Sequence, residues 1–398
     1  MPGTASKRAL LCTVTALFWF AQYVYIPFLT PYLLSLSITA TVTGVIIGAY
    51  GVTQMLLRIP LGLALDIHRQ HKLVIIAGVL LAGLSSLGML LFPSPGMLIL
   101  SNALSGVASS AWISFAILYT SYYESSQSTK AVGIINVFFQ GGILLAFLAG
   151  GLLVSRFGIQ MLFKASFAAG LLGGLLALFI PHESATRGTN VNVTGLIKVI
   201  HDRRVLTFSL MSGMAWFVIF ATVFSFSTST AKTLGASGPQ LGIFSMLYSI
   251  GTIAGAWFIS TRAGHAMGEM KPLIVGFLIL ALYCVSIGFA PNLHIFYTAQ
   301  LLCGFGKGLL MACGMAFAIK HVDPEKRSTA MGCYQSIYCI GITGGPVVMG
   351  LLIDHGGRMT AFCSVAVIAL LCAIAMYFLY RSGFLSPGNN SGYPRSRS

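Results

Sequence analysis

The sequence predicts an all-helical integral membrane protein, with twelve transmembrane helices arranged as two repeats of six. Three observations lead to this prediction: the composition, a series of long apolar segments, and an internal repeat. The 398-residue chain is 56% hydrophobic and only 8% charged, and its mean hydropathy is +0.87. Soluble proteins contain about 25% charged residues. The composition therefore indicates a chain that crosses a membrane many times.

Twelve apolar segments are each long enough to cross a hydrocarbon core of about 30 Å. They cover residues 9–34, 40–64, 73–93, 97–122, 131–155, 159–180, 205–231, 240–261, 272–290, 296–319, 329–352 and 359–380. The first has no small-residue cleavage site, so we expect a membrane span and not a removable signal peptide. The loops are short, which predicts that no domain lies outside the membrane.

The chain repeats at half its length. Corresponding residues lie 198 positions apart early in each half and 199 positions apart later. The pairs are Gly44 with Gly242, Gly78 with Gly276, Gly106 with Gly304, Gly151 with Gly350, and Gly158 with Gly357. Two halves that start from the same side form a parallel repeat, and such proteins bind substrate between the halves near the middle of the membrane.

The repeat and the loop lengths divide the chain into four parts. We expect a six-helix N-terminal half over residues 1–180 and a cytoplasmic linker over 181–204. The second six-helix half covers 205–380. Residues 381–398 are rich in Pro, Gly, Ser and Asn, which is typical of a disordered tail.

The net charge is +15, and its distribution predicts the orientation. Seventeen of the 23 Lys and Arg residues fall in segments on the side of the chain termini. Three lie on the opposite side and three within spans: Arg156, Lys232 and Arg358, then Arg58, Lys164 and Lys307. Cytoplasmic loops carry this excess, so we expect both termini to be cytoplasmic in the inner or plasma membrane. The bilayer, and not nucleic acid, is the partner of this charge.

Neither a metal site nor a catalytic constellation is visible. The eight cysteines all fall in predicted spans without a C-x-x-C pair, and the eight histidines lie in loops or at span ends. This pattern predicts no disulfide framework and no metal site. With no Ser–His or carboxylate arrangement at depth, we expect neither a cofactor nor an enzyme.

Lys307 is the most unusual residue of the predicted spans. It lies in the middle of a stretch, from Phe296 to Ile319, that is otherwise uncharged. At about 1.5 Å per residue its depth is roughly 17 Å, where a lysine costs about 2.5–3.5 kcal/mol. Three interpretations remain open: contact with an anionic or polar substrate, a structural hydrogen bond to carbonyls of neighbouring glycines, and a titrating coupling residue.

A short motif separates the second and third spans. Gly62 is followed four residues later by Asp66, and then by the basic residues Arg69 and Lys72. This pattern resembles the major facilitator superfamily, and the resemblance extends over all twelve spans. It implies a cytoplasmic latch for the outward-open state, formed by Gly62, Asp66 and Arg69. Lys72 would lie at the lipid surface, and Arg58, eight residues before Asp66 on the same helix face, is added to this gating group.

Three family features are absent. The usual glycine between the basic residues is replaced by Gln70 or His71, and the fifth span lacks the glycine–proline signature associated with antiporters. In the fourth span Asn102 stands where the family pattern has an arginine, so the proton-linked role of that arginine does not transfer.

The resemblance also implies where substrate binds. In this superfamily spans one, four, seven and ten line the central path, which places Gln22, Asn102, Trp216 and Lys307 first. Other polar or aromatic residues predicted at depth complete the candidate site: Tyr23, Gln54, Gln140, Gln335 and Tyr338. Buried glutamines are good candidates because each must find a hydrogen-bond partner.

These observations favour a monomeric secondary active transporter that exports a small organic molecule by alternating access. The alternative is an importer or facilitator of an anionic metabolite, with Lys307 as counter-charge. All eight acidic residues lie outside the predicted spans, so no buried carboxylate is available for proton coupling. A coupling proton could still use Asp66, Asp354 or Lys307, and facilitated diffusion remains open.

Overall fold

A computed structural model describes residues 4–124, 127–181, 203–268, 270–319, 322 and 327–382. Within these residues the chain is helical and contains no strand. The predicted linker, apart from 181, 203 and 204, and the predicted tail beyond residue 382 lie outside the described residues, so the four-part division stays a prediction.

The described helices form twelve membrane spans, which confirms the predicted fold class. Eleven helical stretches are long and apolar enough to cross a membrane, and the last, of 52 residues, accounts for two crossings because it breaks at Gly357. Spans 1 to 6 are Thr4–Tyr23 with Ile26–Ser35, Ala40–His68, His71–Leu91, Pro95–Ser110 with Trp112–Ser121, Ser128–Phe157, and Ile159–Leu178. Spans 7 to 10 are Arg203–Ala221 with Thr222–Phe226 and Ser227–Thr233, Gly238–Ile259, Lys271–Gly288, and His294–Ile319. Spans 11 and 12 are the two parts of Arg327–Arg381, and the short helix Arg262–Ala266 precedes span 9.

Three spans predicted as continuous are interrupted. Span 1 breaks between Tyr23 and Ile26, just before Pro27, whose ring cannot donate a backbone hydrogen bond and suits the first turn of a helix. Span 4 is interrupted at Ala111. Span 7 widens into a π-helical turn over Thr222–Phe226, a feature that is frequent at functional sites.

The internal repeat is also present in three dimensions. A Cβ on Gly106 would meet the carbonyl oxygen of Tyr50, and a Cβ on Gly304 would meet that of Tyr248, which is the equivalent residue. These glycines let the fourth span of each half pack closely on the second. The second and fourth spans therefore pack in the same way in both halves.

The turns that end the fifth span of each half provide a second match. Gly158 and Gly357 both have a φ of 75°. Only glycine adopts this conformation without strain. The chain therefore reverses in the same way at equivalent positions.

The halves meet most closely on one side of the membrane. We call the side that carries residues 4 and 382 the terminal side and the opposite side the far side. On the far side Gly44 of span 2 lies against the Pro346 carbonyl of span 11, and Gly242 of span 8 lies against the Phe147 carbonyl of span 5. These two contacts are related by the repeat, so both interfaces close symmetrically.

The same helices separate toward the terminal side. A Cβ added at Gly62 of span 2 or at Gly332 of span 11 would have no atom of another described helix within 4 Å. Gly133 of span 5, the repeat equivalent of Gly332, has equally open surroundings. The halves are thus closed on the far side and apart on the terminal side.

Candidate functional site

A cavity lies between the two halves. Spans 1, 2 and 4 contribute most of its wall, and span 7 contributes the rest. The lining residues are Gln22, Tyr23, Ile26, Leu29, Ile47, Tyr50, Asn102, Phe220 and Phe224. Three of the residues predicted from the sequence, Gln22, Tyr23 and Asn102, are among them.

The polar groups of this wall also hold the spans together. The Gln22 amide nitrogen donates to the Ser105 carbonyl and to the Ser109 hydroxyl, both at 3.0 Å. The Asn102 amide nitrogen donates to the Ile46 carbonyl at 2.7 Å. These bonds tie span 4 to spans 1 and 2, so both side chains shape the cavity with their donors already engaged.

Arg58 lies at the centre of a second polar cluster. Its guanidinium donates to the Gln54 side-chain oxygen at 2.6 Å, the Gln335 side-chain oxygen at 2.9 Å and the Tyr338 hydroxyl at 2.6 Å. Gln54 belongs to the same helix, whereas Gln335 and Tyr338 belong to span 11. Arg58 therefore bridges the two halves, and three residues predicted for substrate binding meet at it.

Lys307 extends from span 10 toward aromatic faces. Its ammonium nitrogen lies 5.2 Å from the ring centroid of Trp216 and 5.9 Å from that of Tyr248. The ring of Trp216 also lies 5.6 Å from the ring of Tyr338, which contacts Arg58. The predicted residues Lys307, Trp216 and Tyr338 thus form one connected group.

A chain of rings connects this group with the cavity wall. Centroid distances are 5.6 Å from Trp216 to Phe220, 5.1 Å from Phe220 to Phe224, and 5.5 Å from Phe224 to Tyr248. Tyr50 stacks on Phe220 at 6.2 Å. The cavity, Lys307 and Arg58 are therefore all in contact with one connected series of aromatic rings.

Sequence reasoning missed Tyr50, Phe220 and Phe224. Phe220 and Phe224 follow Trp216 at intervals of four, which places all three on one helix face. Tyr50 is the repeat equivalent of Tyr248. Both signals were present in the sequence, but aromatic residues in membrane helices are common enough to conceal them. Gln140, in contrast, is half-buried on span 5 and is not among the residues that line the cavity.

The predicted latch residues are placed on the terminal side, at the end of span 2. Arg69 ends this helix in a left-handed conformation with a φ of 53°, and Lys72 donates to the Leu178 carbonyl of span 6 at 2.8 Å. The side chain of Asp66 lies outside the described part of the structure. Gly62 has open space around it, and Arg58 contacts the substrate candidates instead of this loop. The latch stays a prediction.

On the far side, Asp354 joins the end of span 11 to the start of span 2. It lies beyond the predicted end of span 11, and its carboxylate accepts from the Ala40 amide at 3.1 Å and from the Thr41 amide and hydroxyl at 2.8 and 2.6 Å. Anionic groups are favourable at a helix N-terminus such as this start of span 2. Burial raises the pKa of Asp354, but the hydrogen bonds from Thr41 and Ala40 outweigh burial and lower the pKa below its usual value.

Replacing Asp354 by asparagine should loosen the far-side contact. Charges at exposed helix ends contribute about 0.3–1 kcal/mol, so we expect hydrogen exchange at Ala40 and Thr41 to accelerate roughly two- to fivefold. Because the pKa is lowered, the contact is complete above the usual aspartate pKa and is lost as the pH falls through the lowered value. After correction for intrinsic exchange, protection should therefore be the same at neutral and mildly acidic pH. Equal exchange in Asp354→Asn and wild type would contradict this account.

Two pseudo-symmetric six-helix halves around a cavity near mid-membrane define a class of protein, the secondary transporters. The chain belongs to the Major Facilitator Superfamily, whose family model matches residues 11–232 and 222–395.

Similarity to individual proteins agrees with this assignment. The proton-coupled antiporter flippase LtaA of Staphylococcus epidermidis is 23% identical over 328 residues, which cover 79% of this chain and 80% of LtaA. The nucleoside transporter NupG has a TM-score of 0.77 at 15% identity, covering 94% of this chain and 99% of NupG. A bacterial homologue of the human lysosomal transporter Spinster, inward-facing and unoccupied, has a TM-score of 0.77 at 16% identity, covering 96% and 98%. The two structural matches concern the fold alone.

Proposed function

We propose that this chain is a secondary active transporter that exports a small organic molecule by alternating access. The observation that carries the proposal is the asymmetric closure of the two halves. Gly44 and Gly242 lie in close contact with the opposite half on the far side, whereas Gly62 and Gly332 of the same interface have open surroundings on the terminal side.

The charge distribution of the loops indicates which side of the protein faces the cytoplasm. The terminal side carries most of the basic residues, so we assign it to the cytoplasm. The present conformation is then inward-open. In the opposite state the glycine contacts on the far side separate and the terminal ends of spans 2 and 11 approach each other.

The cavity suits a ligand with both polar and aromatic parts. Gln22 and Asn102 contribute polar atoms, while Tyr23, Phe220 and Phe224 contribute ring surface. Substrate would enter from the terminal side in this conformation, as export requires.

A coupling proton is part of the proposal, and the name of LtaA, a proton-coupled antiporter flippase, supports it. Asp354 is a poor carrier because its lowered pKa keeps it ionised at neutral pH. Asp66 and Lys307 remain as candidates.

The alternative is import or facilitated movement of an anionic metabolite. It is favoured by the position of Lys307 beside the ring chain, with no carboxylate in contact among the described side chains. Export and import would use the same binding site and would differ only in the direction of transport.

The latch at the terminal side leads to a prediction. Replacing Asp66 by asparagine should slow turnover, because the outward-open state would lose its closing contact, while ligand affinity changes only a few fold. Initial transport rates and thermal-shift titrations of the same preparation separate these effects. An unchanged transport rate would remove Asp66 from the latch.

The function itself is tested in liposomes that contain the purified protein. Salicylate, uridine monophosphate and tetraphenylphosphonium serve as probes, with a pH gradient imposed in either direction. Movement of a probe well above that in protein-free liposomes supports the proposal, and stimulation by an opposing proton gradient supports antiport. Loss of the probe's movement in a variant that cannot close on the far side would link transport to alternating access. No protein-dependent movement of any probe counts against the proposal.

A further inference from the structure

Hydrogen-bond donors without acceptors surround Lys307. The ammonium of Lys307 faces the rings of Trp216 and Tyr248, and no described acceptor lies within hydrogen-bonding distance of it. The Trp216 indole nitrogen and the Tyr248 hydroxyl are enclosed by protein and likewise have no hydrogen-bond partner in the described part of the chain. An ammonium and an indole N–H can only donate. The ammonium of Lys307 therefore has donors available for a ligand that is rich in acceptors.

Arg58 provides a second positive charge near the same rings. Its three hydrogen-bond partners are the side chains of Gln54, Gln335 and Tyr338, all of which are neutral. Neutral acceptors satisfy the N–H groups but do not balance the charge. A guanidinium matches the geometry of a carboxylate or phosphate, to which it binds through two parallel hydrogen bonds.

Each of the two cations contacts one of two neighbouring rings. The guanidinium carbon of Arg58 is 5.3 Å from the Tyr338 ring centroid, and the Lys307 nitrogen is 5.2 Å from the Trp216 ring centroid. The two rings are themselves 5.6 Å apart. Arg58 comes from the first half and Lys307 from the second, so the pair spans the interface at which the halves move.

No carboxylate among the described side chains contacts either cation. All eight acidic residues lie outside the predicted spans in the sequence. A buried charge is costly unless it is paired, and ionisable residues in membrane spans mark substrate or ion pathways. An anionic ligand would supply the balancing negative charge.

We propose that Arg58 and Lys307 both belong to the binding site of an anionic transported molecule, one that carries a carboxylate, sulfonate or phosphate on an aromatic or apolar body. This inference rests on the proposed transport function and names its substrate class. The body of the molecule lies along the rings of Trp216, Phe220 and Phe224. Arg58 is then a binding residue and not only a part of the gate.

The first test needs no ligand. If Lys307 is kept for binding at a cost in stability, Lys307→Met should raise the midpoint temperature of the purified, ligand-free protein or leave it unchanged. Lys164→Met is the matched control, because Lys164 is an exposed lysine of span 6. A clear fall in the midpoint for Lys307→Met, with none for Lys164→Met, would show a structural donor and overturn the inference.

The second test measures binding by thermal shift with matched probes. The anions are salicylate, 1-naphthoate, 1-naphthalenesulfonate and uridine monophosphate, and the neutral partners are salicyl alcohol, 1-naphthalenemethanol and uridine. Lysophosphatidylglycerol and lysophosphatidylcholine test whether a lipid headgroup is the source of the anion. We expect one or more anions to raise the midpoint by several degrees, with the shift abolished in Lys307→Met and kept in Lys164→Met.

The contrary results are distinct. Stabilisation by neutral probes or tetraphenylphosphonium that is indifferent to Lys307→Met would overturn the anion site while leaving the transport proposal intact. No stabilisation by any of the anions would also overturn it. An anion that binds through Lys307 but is not moved into liposomes would support the site and refute the transport function.

Discussion

Replacing Gly44 by alanine is expected to prevent normal closure on the far side and to reduce transport at least fivefold. The added Cβ would lie less than 3.0 Å from the Pro346 carbonyl oxygen, closer than Cβ atoms approach such groups. The obstructing atom is backbone, so it cannot move aside as a flexible side chain can. Overpacking of this kind costs about 1–3 kcal/mol, which shifts an equilibrium between two states by about 5- to 150-fold.

Span 11, which Gly44 contacts, offers a matched control for this change. Gly344 lies on span 11, and a Cβ added there would make only an ordinary contact of 3.8 Å with the Phe217 ring. Gly344→Ala should therefore transport at close to the wild-type rate. Initial rates of probe movement into liposomes, compared at equal protein content, measure both variants. Equal rates in Gly44→Ala and wild type would mean that this contact does not limit the cycle.

Replacing Arg58 by methionine is expected to lower affinity for an anionic ligand by at least tenfold. Hydrogen bonds to charged groups contribute about 1.5–3 kcal/mol each, and methionine removes both the charge and the donors. It also leaves Gln54, Gln335 and Tyr338 without the donor that now joins them. We therefore expect thermal stability to fall as well.

Arg58→Lys separates charge from geometry. Lysine keeps the positive charge but not the planar fork of donors, so affinity should be intermediate between wild type and Arg58→Met. Thermal-shift titration with the anion that stabilises wild type most strongly gives the three dissociation constants. A bridge between the halves with no ligand role would show a different pattern: lower stability in Arg58→Met, with unchanged anion affinity in both variants.

The architecture could be predicted from the sequence because membranes allow few solutions. Apolar segments of sufficient length must be helices that satisfy their own backbone, and the recurrence of Gly106 as Gly304 and of Gly158 as Gly357 indicated the two halves. Lys307 was recognisable because a charged side chain in the middle of a membrane span is energetically costly. These features depend on the residues themselves and on their spacing.

Other features depend on tertiary contacts that a single sequence does not contain. Gly44 and Gly62 are both glycines of span 2, but only Gly44 meets the opposite half in this conformation. The position of Arg58 on the helix face of Asp66 predicted a role at the gate, whereas Gln335 and Tyr338 of span 11 draw its guanidinium toward the other half. Gln140 is as polar as Gln22 and also lies well inside a predicted span, yet it is not among the residues that line the cavity.

Alternating access is the central claim, and reciprocal movement of the two sides tests it most directly. Spin labels on unnatural amino acids at Ser94 and Asn292 report the far side, and labels at Gln70 and His265 report the terminal side; all four positions are exposed. Electron–electron resonance then gives both distance distributions for wild type and Gly44→Ala. We expect Gly44→Ala to lengthen the far-side distance and to shorten the terminal-side distance together. A far-side distance that lengthens while the terminal-side distribution stays unchanged would contradict the account.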